Sequence, residues 1–169
     1  SVVNFRLLDG GEQEAAHRAG TEDVAGVFAM SAALENSRSG KAEARDAFIE
    51  QIVQVIPGVA VIGVGTDRLW NTVSMSMPRY QSVRWIRALE KAGFLLSAGS
   101  ACSTGKTSVS EVLLAMGVDA AIAGRVLRIS AGADTTAEDW QALSEALLVT
   151  YKLLNEEADS MKSQVVSID

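Results

Sequence analysis

"SAGSACSTGKTS", residues 97–108, holds the chain's one cysteine, Cys102, and closes on Gly-Lys-Thr. Two readings compete, and each carries its own fold. A phosphate-binding loop has Gly, four residues, then Gly-Lys-Ser/Thr between a buried strand and a helix. A Gly/Ser-rich arm bearing a thiol makes no such demand. Counting back from Gly105, the first glycine of a phosphate loop falls on Ser100, and Gly99 stands one residue too early. That slip changes which backbone N–H groups face the phosphates. The acidic residue that a second buried strand supplies for Mg²⁺ has a counterpart only in the terminal "VVSID" (165–169). A nucleotide-binding domain using residues 100–107 is therefore the weaker reading. For the thiol, the plain alternative is a small buried hydrophobe. Ser100, Ser103, Thr104 and the glycines at 99 and 105 offer it no apolar pocket, and Lys106 favours the thiolate. His17, the one histidine, is remote in sequence, so the proton acceptor would lie outside the chain or on a substrate.

Composition bounds the rest. With 169 residues, 48% of them hydrophobic, the chain is expected to form one domain, or one domain plus a piece of another. The 15 basic and 21 acidic residues give a formal charge of −6 with no basic stripe, which argues against nucleic acid as a direct partner. No apolar run approaches the ~20 residues that span a bilayer, so no membrane partner is expected. One cysteine makes no internal disulfide, and a cytoplasmic location is the default expectation. One histidine and one cysteine leave little for a soft-metal site, so no metal is expected.

Along the chain, residues 1–8 read as an extended piece, followed by a polar loop with Gly10, Gly11 and Gly20. A helix is expected from Thr21 as N-cap, with Glu22 and Asp23 in its first turn. "NSRSG" (36–40) interrupts it, and residues 41–56 resume as an amphipathic helix through Phe48, Ile52 and Val55. Four strands are expected at 59–64, 72–77, 94–98 and 125–130; "TVSMSM" alternates apolar and polar residues, as a strand with one buried face does. Helices are expected at 79–92, ending at Gly93, and at about 108–116, ending at Gly117. A long terminal helix follows, opened by Thr136 and Asp139 as a capping box. The fold class is α/β in the broad sense, an α+β small domain of about four strands packed by helices.

Five stretches, in order, resemble one family. "GGEQEAAHRAGTEDVAG" (10–26), "LWNTVSMSMP" (69–78), "SAGSACSTG" (97–105), "VLLAMG" (112–117) and "RVLRISAGADTTAED" (125–139) are similar to motifs of the cysteine desulfurases. These are pyridoxal-phosphate enzymes of the class V aminotransferase group. The resemblance implies the C-terminal part of a fold-type-I enzyme. Residues 1–20 would be a remnant of the cofactor-binding large domain, 21–56 linking helices, 57–160 the small α+β domain, and 161–169 a tail. It also implies the activity: L-cysteine converted to L-alanine, its sulfur left as a persulfide on Cys102 for a sulfur-acceptor protein, in a homodimer.

Site residues follow from the same resemblance. Cys102 takes the place of the persulfide-forming cysteine, Arg128 that of the arginine holding the substrate carboxylate, and Thr21 that of the threonine reaching the cofactor phosphate of the neighbouring subunit. Without the family, Arg128 reads as a solvated strand-end charge, Thr21 as a helix cap, and Asn71 as the holder of a turn. The family's cofactor-bearing lysine follows a histidine, and none of Lys41, Lys91, Lys106, Lys152 and Lys162 does. The isolated chain is therefore expected to be inactive. Glu12 replaces a family glycine, Ala133 a family arginine, Val109 a common proline, and "RYQSVRWIRALEKAG" (79–93) lacks the family's Gly-Glu-x-Leu character. A class V homologue with other chemistry is the second alternative.

Overall fold

A computed structural model describes residues 7–36, 42–99 and 109–165. The chain divides into two compact units, residues 1–38 and 39–169.

In the first unit, Leu8 forms a parallel bridge with Arg18, secured by Leu7 N–H to the His17 carbonyl (2.8 Å) and Ala19 N–H to the Leu8 carbonyl (3.1 Å). The opening segment thus has a local partner that no periodicity announces. Between them, α1 (Gln13–Ala16) is a single tight turn in which Glu14, Ala15 and Ala16 all have positive φ. α2 (Val24–Glu35) starts later than expected. Its N-cap is Asp23, whose carboxylate accepts from Gly26 N–H at 2.9 Å, and Thr21 lies outside the helix. An aspartate two residues nearer the apolar run captures the first free amide and outcompetes the threonine. Within this unit Val24, Val27, Phe28, Met30 and Leu34 are all exposed.

The second unit holds α3 (Glu43–Val55), β1 (Ala60–Val61), β2 (Thr72–Ser76), α4 (Ser82–Lys91), β3 (Ser97–Ala98), α5 (Glu111–Ala115), α6 (Ala120–Ala123), β4 (Val126–Ser130) and α7 (Ala137–Val165). Its four strands are ordered β1-β2-β4-β3, and every pairing is antiparallel. β1 and β3 are shorter than expected. After Val61 the chain turns through Gly63 and Gly65 with positive φ, and Leu95, 87% exposed, lies outside the ladder. The terminal helix runs on to Val165, past the expected frayed point at Ser160.

Two faces of the sheet receive different cover. Val73 and Met75 of β2 and Leu127 and Ile129 of β4 are buried against Phe48, Ile52, Trp85, Leu89, Leu143 and Leu147, so α3, α4 and α7 form one helical layer. Phe48 meets Trp140 at 4.8 Å between ring centres, joining α3 to α7. Trp85 lies parallel to Tyr151 at 6.3 Å and donates its indole N–H to the Arg79 carbonyl at 2.9 Å, joining α4 to α7. On the opposite face only a small cluster forms, Leu113, Ala123 and Val126, under α5 and α6. Gly93 and Gly117 end their helices with φ of 89° and 79°, where a left-handed residue closes the last turn. The Thr136–Asp139 box is present, with Asp139 N–H to Thr136 Oγ1 at 3.2 Å and Thr136 N–H to Asp139 Oδ2 at 2.8 Å.

Arg45 is the one buried charged residue among the described residues. Only 6% exposed, it donates Nε and Nη2 to Asp46 Oδ1 at 2.9 and 2.7 Å and Nη1 to the Leu69 carbonyl. It thereby ties α3 to the loop between β1 and β2. Asn71, after that loop, donates Nδ2 to the Ala131 carbonyl at 2.7 Å and accepts Ala131 N–H on its own carbonyl at 2.8 Å. This side chain fastens the start of β2 to the end of β4, the structural role expected of it.

Two expectations follow for urea denaturation. Leu127→Ala removes a fully buried side chain at the sheet centre and lowers stability by about 2–5 kcal/mol, whereas Leu95→Ala changes it by less than about 0.5 kcal/mol. Asn71→Ala strips the Ala131 carbonyl of its side-chain donor and costs about 1–2 kcal/mol.

Candidate functional site

The less covered face of the sheet carries the site. Side chains alternate along a strand, so with Leu127 and Ile129 in the core, Arg128 emerges on the other face. The register places Arg128 opposite Ser74 on β2 and Ser97 on β3. Its Nη2 lies 3.4 Å from Ser97 Oγ, a long and weak hydrogen bond. The guanidinium is therefore steered by a serine and neutralised by nothing among the described residues.

Arg128 opens into a cleft of about 350 Å³, at the small end of ligand-pocket sizes. Its floor is Thr72, Ser74, Val126 and Arg128; one wall is Ser110, Leu113 and Met116, the other Ile62, Gly63, Arg68 and Leu69. No carboxylate is among its described lining residues. Gly99 belongs to the same rim. A Cβ there would meet Leu113 Cδ1 at 2.8 Å, so the Leu113 side chain packs directly on the bare Gly99 backbone. Ser110, just beyond the segment 100–108, caps α5 by accepting Leu113 N–H at 3.4 Å.

Of the expected site residues, Arg128 lines this cleft. Cys102, and the alternative phosphate loop of residues 100–107, lie outside the described residues; those on either side, Gly99 and Ser110, both line the cleft. Gly99 does not have the positive φ of a phosphate-loop glycine, and the wholly antiparallel pairing of β1 to β4 gives no parallel strand to precede such a loop. Thr21 belongs to the first unit, exposed, two residues ahead of the Asp23 cap.

The residues present fit part of a pyridoxal-phosphate site. A guanidinium in a cleft without carboxylates suits the acid group of an amino-acid substrate, and an exposed hydroxyl at Thr21 suits an anion. An amine to carry the cofactor is another matter. Lys91 and Lys152, the lysines whose side chains are described, sit on α4 and α7 in the helical layer across the sheet from the cleft. No described lysine can serve there. Among the described residues there is also no cluster of three or more His, Cys, Asp or Glu suited to a metal ion, and no helix long and apolar enough to cross a membrane.

Sequence reasoning missed Arg68 and the hydroxyls of Thr72 and Ser74. The alternation of "TVSMSM" places both hydroxyls on the face away from the core and is a usable signal. Arg68 sits in an irregular loop whose course no periodicity dictates.

Comparison with known proteins agrees with this arrangement. The class-V aminotransferase family matches residues 4–143. A cysteine desulfurase of Rhodobacter capsulatus is 36% identical over 162 residues, an alignment spanning 91% of this chain and 41% of that protein. Cysteine desulfurase IscS of Methanosarcina thermophila is 34% identical over 157 residues, spanning 88% and 39%. The X-ray structure of a NifS-like protein from Rickettsia africae superposes with a TM-score of 0.65 at 25% identity, covering 87% of this chain and 40% of that one. The chain spans about two fifths of the length of these relatives. With a family match over most of its length and the fold to accompany it, this chain belongs to the class-V aminotransferases.

Proposed function

We propose that the chain is the small-domain part of a pyridoxal-phosphate-dependent cysteine desulfurase that removes sulfur from L-cysteine. The observation that carries the reading is the cleft: an uncompensated Arg128 on its floor, with Gly99 and Ser110 at its rim. Three peptide links separate Gly99 from Cys102, so their Cα atoms are at most about 11 Å apart. That limit keeps the thiol in the neighbourhood of a substrate held by Arg128.

The chain's own residues have two tasks. Arg128 takes the substrate carboxylate in the planar fork of its guanidinium and so fixes which way the substrate's side chain points. Cys102, as thiolate, is the nucleophile that receives the sulfur. The net change balances as L-cysteine plus the Cys102 thiol giving L-alanine plus the Cys102 persulfide. One S–S bond forms, and the substrate C–S bond breaks. The cofactor, when bound, supplies the electron sink that makes the C–S cleavage feasible. Thr21 is assigned to the cofactor phosphate of the neighbouring subunit, and the family's cofactor-bearing lysine, which follows a histidine, has no counterpart among these 169 residues. The persulfide then passes to a sulfur-acceptor protein, within a cytoplasmic homodimer that serves iron–sulfur cluster assembly.

The test uses the full-length protein. Cys102→Ser is expected to abolish alanine formation and the one-sulfur mass gain on the protein, while the absorbance of bound cofactor persists. Unchanged turnover by this variant overturns the assignment in favour of a class V enzyme with other chemistry. Arg128→Lys keeps the charge but loses the fork, and kcat/KM for L-cysteine is expected to fall about 10–100-fold, mostly through KM.

A further inference from the structure

We propose that Arg68 is a second carboxylate-binding residue of the cleft, sharing the acid group of the amino-acid substrate with Arg128. The inference rests on the reading just given and adds a residue to it. Arg68 reaches the cleft wall from the loop between β1 and β2. Its Nη1 is shielded from solvent and has no hydrogen-bond partner among the described residues. A buried guanidinium N–H without an acceptor is costly in a native protein, and such defects concentrate where a ligand completes the set.

The local charge count explains why the donor is spare. Among the described residues, Asp46 is the carboxylate that approaches Arg68, and its Oδ1 already accepts two N–H groups from Arg45, at 2.9 and 2.7 Å. Arg68 Nη2 stays at 4.0 Å from that same oxygen, at the edge of an ion pair. Two guanidiniums thus share one carboxylate, and the shorter, doubly bonded contact belongs to Arg45. The remaining positive charge falls on the cleft side, where Arg128 adds another and no described acidic side chain lines the wall. Such a field inside a chain of net charge −6 favours a small anion. A carboxylate has two oxygens and about four lone-pair sites, enough to accept from both arginines. The cleft volume of about 350 Å³ suits a molecule the size of a single amino acid.

The experiment needs neither cofactor nor turnover. The ¹⁵N-labelled 169-residue chain is titrated with S-methyl-L-cysteine, whose capped sulfur cannot be transferred, and with S-methylcysteamine, which lacks the carboxylate. Chemical shifts of the arginine Nε–H groups and of the Ser74 and Gly99 amides report binding. Saturable shifts at both Arg68 and Arg128 with the carboxylate compound, and none with the amine, are expected. Arg68→Met, which keeps the aliphatic stem, is expected to weaken binding about 10-fold, with Arg68→Lys recovering part of the loss. Far-ultraviolet circular dichroism on each variant separates lost binding from lost folding. Should Arg68→Met prove unstable, the wild-type Arg68 Nε–H response decides. If Arg128→Met abolishes binding and Arg68→Met leaves it unchanged, the role of Arg68 is overturned and the desulfurase reading stands. If the wild-type chain gives no saturable response, or neither substitution alters it, the cleft is not a carboxylate site and both fall.

Discussion

The antiparallel pairing of β2 with β4, Thr72 opposite Ser130 through Ser76 opposite Val126, is the constraint on which the second unit depends. It sorts ten residues by parity. Val73, Met75, Leu127 and Ile129 go to the helical layer, while Thr72, Ser74, Ser76, Val126, Arg128 and Ser130 go to the other face. A one-residue slip would drive Arg128 into the apolar core and Leu127 into the cleft. Packing and site placement are therefore fixed by the same set of backbone hydrogen bonds. The Asn71 clamp on Ala131 reinforces that register at the open end of the ladder.

Around this pair the helices do unequal work. α7 is the common partner, meeting α3 through Phe48 and Trp140 and α4 through Tyr151 and Trp85. Arg79 Nη1 and Tyr80 Oη both donate to Asn155 Oδ1, and Arg84 pairs with Glu157 at 2.8 Å, so polar contacts extend the α4–α7 seam to its rim. Tyr80 holds φ at 62°, a left-handed conformation uncommon for an aromatic residue, and the arginines at 79 and 84 cover its ring at 5.4 and 4.8 Å. All this cohesion lies on one side of the sheet. Among the described residues, the cleft side is covered by α5 and α6, five and four residues long, and by the loop between β1 and β2.

Much of this was legible in the residues. The alternation of "TVSMSM" and the stretch "RVLRIS" mark both central strands within a residue, and Gly93 and Gly117 mark two helix ends. The edge strands were overextended because a run such as "VAVIGV" carries no sign that Gly63 will break the ladder. The cap of α2 was misplaced because Thr21 and Asp23 are both competent, and only the backbone course decides between them. Arg128 was found through family resemblance, since its bare pattern is a charge at a strand end. Arg45 and Arg68 were missed for one reason: burial of a cation is set by a carboxylate and a carbonyl brought up from elsewhere in the chain, and no local spacing encodes that.

Gly99 has a consequence for how the molecule tolerates change. A methyl group there would meet the tip of the Leu113 side chain at 2.8 Å, so that side chain would have to swing aside. Leu113 is also the residue by which the short α5 packs on Val126 of β4. A bulkier amino acid at position 99 would thus disturb first the leucine that seats this helix, and only through it the width of the cleft.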